Sequence, residues 1–259
     1  MKYLYHHRTQ GLNVEGVHIH SICNALAAQG HEVKLVSVKT IDENYLANSH
    51  AEVENVNIQP SFLKTIAKNI PEPLFELLEF TYSFYSFFRL WYVISKYRPD
   101  RIYERYSLFL FSTVILARCY SIPIVYEIND SAQLKRLRPL FFKRFASYIE
   151  KRIFSYASGL VFVSKRLENI IHIAYPSITS LSIVSHNAAD KTIFFSNEES
   201  KTRRKEILNL THKHVCGFIG CFAPWHGVDR FMSRIAPRLK QHPDLTLLLI
   251  GDGKTLNYI

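Results

Sequence analysis

Several residues of this sequence stand where ligands are handled in alternating α/β folds, at the polar ends of apolar runs. Glu127 closes the run "IPIVYEI" and the polar turn Asn129-Asp130-Ser131 follows it. A carboxylate so placed can take a proton or orient a hydroxyl. Asn129 and Asp130 suit either ligand contact or the capping of a following helix. Arg105, in "YERYS", is a cation for an anionic ligand or one half of a surface ion pair. Gly16, where a helical stretch opens, allows close backbone approach to a phosphate or serves only the turn.

A second group lies near the end of the chain. "GCFAPWHG" holds Gly220, Cys221, His226 and Gly227, and "LLLIGDG" ends on Gly251 and Gly253. His226 can donate a hydrogen bond, and carries charge when protonated; alternatively it is a loop histidine before a helix. His6-His7 and His18-x-His20 suggest a metal, but residues two apart on a helix do not face each other, and no carboxylate or cysteine cluster completes a site. No metal and no cofactor is expected.

The elements that must position these residues alternate. "KYLY" reads as a strand, and Ile19, Ile22, Cys23 and Leu26 form one helical stripe from near Gly16 to the terminating Gly30. "EVKLVSV" completes a βαβ unit, which implies a parallel sheet. A strand at 51–58, a helix over 72–97 and the strand "RIYERY" follow. Ser107 is a plausible cap for an apolar helix running to Arg118. After "IPIVYEI" a basic amphipathic helix is expected over 133–157, interrupted by Pro139. "GLVFV", a helix from Ser164 and "LSIVSH" complete a doubly wound layer. The charged stretch "SNEESKTRRKE" reads as a linker with a leading helix. The pattern then restarts with the strand "HVCGFIG", a helix over 228–240 that Pro237 should kink or end, and the strand "DLTLLLI". This divides the chain into a complete domain over 1–190, a linker over 191–212 and the start of a second domain over 213–259.

Bulk composition narrows the setting. A chain of 259 residues with 47% hydrophobic residues can bury a sizeable core, so disorder is not the expectation. The formal charge of +10 favours anionic partners: a phosphorylated small molecule, an anionic membrane surface or nucleic acid. No recognition module supports nucleic acid. The four cysteines form no paired spacing, which points to a reducing, cytoplasmic compartment. The N-terminus has no apolar run that would make a signal peptide, and "FTYSFYSFFRLWYVI" is too short to span a bilayer and contains Arg89, so it reads as a buried or interfacial helix. The stretch "QLKRLRPLFFKRFASYIEKRIFSYA" carries seven Lys/Arg and one acid, the composition of a membrane-surface patch or of an ordinary helix packed on a sheet.

Taken in order, the quoted stretches resemble a family 4 glycosyltransferase of GT-B type. "RTQGLNVEGVHIHSICNALAAQGHEVKLVS" is similar to its first loop and helix, "YERYSLF" and "IPIVYEIND" to its acceptor-side strand ends. "GLVFVSKRL" and "VSHNAADKTIF" are similar to the exit from the first domain, and "GFIGCFAPWHGVDRF" and "LLLIGDGK" to the first strand ends of the donor domain. The resemblance implies two Rossmann-like domains with the active site in the cleft. It implies sugar transfer from a nucleotide-sugar donor to a glycan or lipid-linked acceptor, usually with retention and without a metal.

By the same resemblance Glu127 and His226 are the catalytic candidates. Gly16, Gly220, Cys221, Gly227, Gly251 and Gly253 lie at the donor, and Arg105 and Asn129 at the acceptor. Relatives carry an Arg and a Lys on the diphosphate at the positions matching Cys221 and His226; His226 is a workable substitute, whereas Cys221 cannot replace an Arg. The later part of the donor domain, with its two glutamates eight residues apart, has no counterpart after Gly253. A C-terminally truncated chain is therefore expected, whose exposed "TLLLI" strand needs a complementing chain or docking elsewhere. The alternative to an enzyme is a non-catalytic remnant that keeps an interaction or membrane surface.

Overall fold

The computed structural model describes residues 1–9, 14–37, 41–42, 70–135, 139–188, 195–239 and 241–258, with backbone alone at 14, 15, 41 and 42. The strand read at 51–58 lies outside them. The chain divides into two compact units, Met1–Ala188 and Ala189–Ile259.

In the first unit the apolar runs become β1 (Lys2–His6), β2 (Glu32–Val36), β4 (Arg101–Arg105), β5 (Ile124–Ile128), β6 (Gly159–Phe162) and β7 (Leu181–Val184), with the two-residue β3 (Ile41–Asp42) before β4. They form one seven-stranded sheet of order β3-β2-β1-β4-β5-β6-β7. All pairs are parallel except β2 with β3. The order reverses between β1 and β4, and in such sheets ligands bind beyond the carboxyl ends of the strands at this switch point.

Helices cover the sheet: α1 (Val14–Ala28), α2 (Glu72–Tyr97), α3 (Ser112–Cys119), α4 (Lys143–Tyr156) and α5 (Lys165–Ala174). Strand side chains alternate between faces. Tyr5, Val33 and Leu35 therefore pack with Ile19 and Cys23 of α1, while Leu4, Val36, Ile102 and Ile124 join the larger core with Leu90, Val93 and Ile94 of α2. Ile22 and Leu26 complete the α1 stripe.

Three helix starts differ from the sequence reading. The first helix begins at Val14, so Gly16 lies inside its first turn. The helix read from Ser107 begins at Ser112, because residues 107–111 turn with Phe109 at φ 62°. Its capping group comes from a distant helix instead: Ser83 Oγ of α2 accepts from Phe111 N at 3.0 Å and Ser112 N at 3.1 Å. The basic helix expected from 133 begins at Lys143, past Pro139, and its entry is fixed by Glu76 of α2, which accepts from Phe141 N at 2.5 Å and Phe142 N at 2.9 Å. Ser164, by contrast, caps α5 as expected, accepting from Leu167 N.

The loop between β5 and α4 is held by Glu150, which is fully buried. Its carboxyl accepts from Tyr106 Oη, Ala132 N, Ser131 Oγ and Tyr175 Oη, all within 2.8–2.9 Å. Burial nonetheless raises its pKa, against the pull of these four donors.

The second unit holds α6 (Glu198–Ile207), β8 (His214–Ile219), α7 (Val228–Leu239), β9 (Leu245–Ile250) and a single 3-10 turn over Leu256–Tyr258. Strands β8 and β9 pair in parallel, from His214 with Leu245 to Ile219 with Ile250. Pro237 lies in the last turn of α7, which stops shortly after it at Leu239; having no N–H, it removes one bond of the helix ladder there. Among the described residues of this unit only Phe222, Ala223, Val228 and Thr255 are buried.

The dependence of α3 on a distant serine gives a direct test. Ser83→Ala leaves the buried Ser112 N without its acceptor and Phe111 N with only Phe109 O, and is expected to cost about 1–2 kcal/mol in urea denaturation. A change below about 0.3 kcal/mol would mean that Ser83 does not cap α3.

Candidate functional site

The parallel register sorts the strand-end side chains into two groups. Tyr103 of β4 lies opposite Tyr5 of β1, and Arg105 opposite Glu127 of β5, all on the α1 side. His6 lies opposite Glu104, and Glu104 opposite Tyr126, on the other side.

The first group centres on Glu127, which is 2% exposed. Its Oε1 receives Arg105 Nη1 at 3.1 Å and Asn129 Nδ2 at 2.5 Å. His18, one turn into α1 beyond Gly16, places Nε2 3.0 Å from the same oxygen, though off the direction a good hydrogen bond requires. Oε2 has Tyr103 Oη at 3.5 Å. Burial pushes the Glu127 carboxyl up, but His18, Asn129 and Arg105 outweigh it and hold its pKa below the ordinary value. The group is therefore an ionised carboxylate at neutral pH, crowded with donors on one oxygen.

Neighbouring groups extend the cluster. Tyr5 stacks on Tyr103 with ring centroids 5.3 Å apart. His7 is buried beside it, and burial, followed by the charges of His6, His20 and Arg105, lowers its pKa to about 4. His7 is thus neutral at pH 7 and offers a hydrogen bond rather than a charge. Arg8 reaches from the same loop to Leu108 O at 3.1 Å and pairs with Glu79 of α2.

Of the first-unit candidates, Arg105, Glu127 and Asn129 come together, and Gly16 sits buried in the helix turn that brings His18 to them. Asn129 contacts Glu127 and does not cap the next helix, which starts fourteen residues later. The sequence reading missed His18 as a partner of Glu127, treating it only as a failed metal ligand. It also missed the buried pair His6 Nδ1 to Glu104 Oε2 at 2.6 Å, supported by Thr113 Oγ1 at 3.2 Å. Strict alternation along "RIYERY" carries a signal for Glu104, since it shares the face of Ile102. Among the described residues no group of three or more His, Cys, Asp or Glu side chains is arranged to hold a metal ion.

In the second unit the remaining candidates form one structure. The turns after β8 and β9 touch backbone to backbone: Gly220 N donates to Ile250 O, Phe222 N to Asp252 O, and Thr255 N to Phe222 O. A Cβ on Gly251 would lie 1.8 Å from Gly220 O, and one on Gly253 would lie 2.6 Å from Phe222 N. Both positions require glycine for that close approach. Gly227, at φ 68°, leads into α7. His226 Nδ1 lies 2.5 Å from Cys221 O. A carbonyl only accepts, so Nδ1 carries a proton and the free position is Nε2. Cys221 contributes this backbone oxygen, and its side chain is a free thiol.

Comparison with known proteins agrees with this geometry. The family model described as Glycosyltransferase Family 4 matches residues 16–192. No curated protein matches the chain. Among solved structures the chain is similar to Anabaena HepE in complex with UDP, with 17% identity and a TM-score of 0.59 over 100% of this chain and 63% of that one. It is similar to sucrose-phosphate synthase from Thermosynechococcus elongatus, with 13% identity and a TM-score of 0.56 over 96% and 62% of the two chains. It also resembles UDP-GlcNAc 2-epimerase from Neisseria meningitidis bound to UDP-GlcNAc, with 13% identity and a TM-score of 0.50 over 97% and 66%. At such identities the likeness establishes the fold alone, and the chain spans less than two thirds of the length of each of these three. The family match covers well over half of the chain and, with the parallel α/β sheet and the partial second sheet, establishes that this protein belongs to glycosyltransferase family 4 and has the GT-B type of fold.

Proposed function

We propose that this chain takes part in moving a sugar from a nucleotide-sugar donor to the hydroxyl of a glycan or lipid-linked acceptor, with retention and without a metal ion, in a cytoplasmic setting. The observation that carries the reading is the convergence of Arg105, Asn129 and His18 on the buried Glu127 at the carboxyl ends of β4 and β5. Support for the donor class comes from the similar structures of HepE with UDP and with UDP-glucose.

In this reading the bond between the sugar and the diphosphate breaks, and the diphosphate leaves with the electron pair. Fixed cations and backbone N–H groups are the usual means of stabilising such a leaving group. The glycine turns of the second unit, Gly220 to Gly227 and Gly251 to Gly253, brace each other through their backbones and fix the loop that carries His226, which donates from Nε2 when protonated. Glu127 has a depressed pKa and an oxygen already occupied by three groups, so it is a weak proton acceptor. Of its two candidate roles, orienting a hydroxyl through Oε2 suits it better than acting as a base. It also holds Arg105 and Asn129 for an acceptor or an anion.

Titration of the chain with UDP and with UDP-glucose tests the donor assignment. Binding of both is expected, and no heat with either would favour the non-catalytic alternative. Glu127→Gln keeps the shape but removes the charge that holds Arg105, and is expected to lower kcat/KM for sugar transfer by about 10–100-fold while leaving UDP affinity nearly unchanged. Unchanged turnover would remove Glu127 from the site.

The fixed tautomer of His226 adds a second test. With Nδ1 committed to Cys221 O, the ring can meet a phosphate oxygen only through Nε2–H. His226→Ala is therefore expected to lower UDP affinity about tenfold in calorimetric titration. Unchanged affinity would place His226 away from the diphosphate.

A further inference from the structure

The helix α2 is turned inside out for a protein surrounded only by water. Its buried residues include Glu76, Ser83 and Ser86 along with Leu90, Val93 and Ile94. Its outward stripe is apolar and aromatic: Leu77, Phe84, Phe88 and Trp91, spaced by seven, four and three residues, are each at least 50% exposed. Two of the buried polar side chains, Glu76 and Ser83, hold other elements from the inside. Ser83 caps α3, Glu76 holds the start of α4, and Phe80 between them packs on Phe145 of α4 with ring centroids 5.5 Å apart.

That contact joins a second exposed surface to the first. Phe141, Phe142 and Phe145, at the entry to α4, are each 43% or more exposed. Together the two helices present apolar side chains on the order of 1,000 Å², since each large aromatic offers roughly 150–250 Å² in full. Soluble monomers rarely expose patches beyond a few hundred Å².

The surroundings of the patch are basic. Lys143 and Arg144 are exposed between Phe142 and Phe145, and Lys151 and Arg152 continue the outward face of α4. Arg152 lies over the ring of Tyr148, 5.4 Å from its centroid. Tyr85 and Tyr92 flank the α2 stripe, each 57% exposed, so aromatic rings with polar tips stand beside the apolar ones. Apolar insertion, aromatic edges and cationic neighbours are the composition of a helix lying in the headgroup layer. No described helix is long and apolar enough to cross a membrane.

We propose that α2 and the start of α4 form one surface that lies in the interface of an anionic lipid bilayer. The charge decides the occupant. Two copies of a chain with formal charge +10 repel each other, whereas an anionic bilayer attracts each lysine and arginine near its surface by about 1 kcal/mol. This surface lies outside the Glu127 cluster and the glycine turns, and it binds lipid whether or not the chain transfers a sugar.

The chain has two tryptophans, so Trp225→Phe leaves Trp91 as the sole reporter. With vesicles of phosphatidylglycerol and phosphatidylcholine, Trp91 emission should shift to the blue, and the shift should weaken with salt. Phosphatidylcholine alone should give little shift. Leu77→Ser with Phe88→Ser should lower partitioning at least tenfold, with an unchanged thermal melting curve because both side chains face outward. Lys143→Glu with Arg144→Glu should lower binding to the anionic vesicles selectively. No shift with anionic vesicles, or an equal shift with phosphatidylcholine alone, overturns the proposal. So does a lipid-free dimer, seen by analytical ultracentrifugation, that the Leu77→Ser/Phe88→Ser variant dissolves.

Discussion

A carboxylate buried to the extent of Glu127 has lost most of its hydration, and an uncompensated charge in that position would cost several kcal/mol. The first unit meets that requirement by bringing side chains from three separate stretches to one oxygen: His18 from α1, Arg105 from β4 and Asn129 from the turn after β5. The same requirement fixes where each of those groups points. The strand-end surface is therefore organised around a negative charge that is itself hidden. What faces outward is a guanidinium and an amide already oriented, the preorganisation that recognition of a polar ligand needs. Folding also stabilises the ionised form. Its contribution is present above the ordinary carboxylate value and is lost as pH falls through the depressed one.

Parallel pairing makes this possible with short strands. Because partners in register share a face, Tyr103 and Arg105 meet Tyr5 and Glu127 on the α1 side, while Glu104 meets His6 and Tyr126 on the other. One strand thus serves an ionised site and a buried structural pair at alternate positions. Glu150 and Glu76 perform the related task for the loops, each converting backbone or hydroxyl donors into a fixed chain path. Among the described residues of the second unit no buried carboxylate plays this part. Its two turns rest on direct backbone contact at Gly251 and Gly253, and the tautomer of His226 is set by a carbonyl of its own loop.

Much of this was legible in local pattern. The apolar runs placed β1, β2, β4 to β9 and the α1 stripe, and Ser164 announced its helix because an N-cap acts over three residues. Glu127, Arg105 and Asn129 were readable as strand-end polar residues. What escaped depends on separation in sequence. Ser83 caps a helix 28 residues away, and His18 meets Glu127 across 109 positions, with no local periodicity to signal either contact. The outward aromatic stripe of α2 left the choice between a buried and an interfacial helix open for the opposite reason. Its residues look like a core, and only the burial of Ser83, Ser86 and Glu76 on the other face shows which side faces the sheet. The start of α4 was misplaced because Pro139 and the Glu76 contact, rather than helix propensity, decide where it begins.

The claim on which the site rests is that Glu127 is an ionised carboxylate held by its neighbours rather than a protonated or basic group. It can be measured by following the carboxyl carbons of glutamate by NMR as a function of pH, with Glu127→Gln identifying the signal. The expected midpoint lies below the ordinary glutamate value of about 4.3, and it should rise toward or above that value when Arg105 is replaced by Gln. A wild-type midpoint at or above the ordinary value would contradict it.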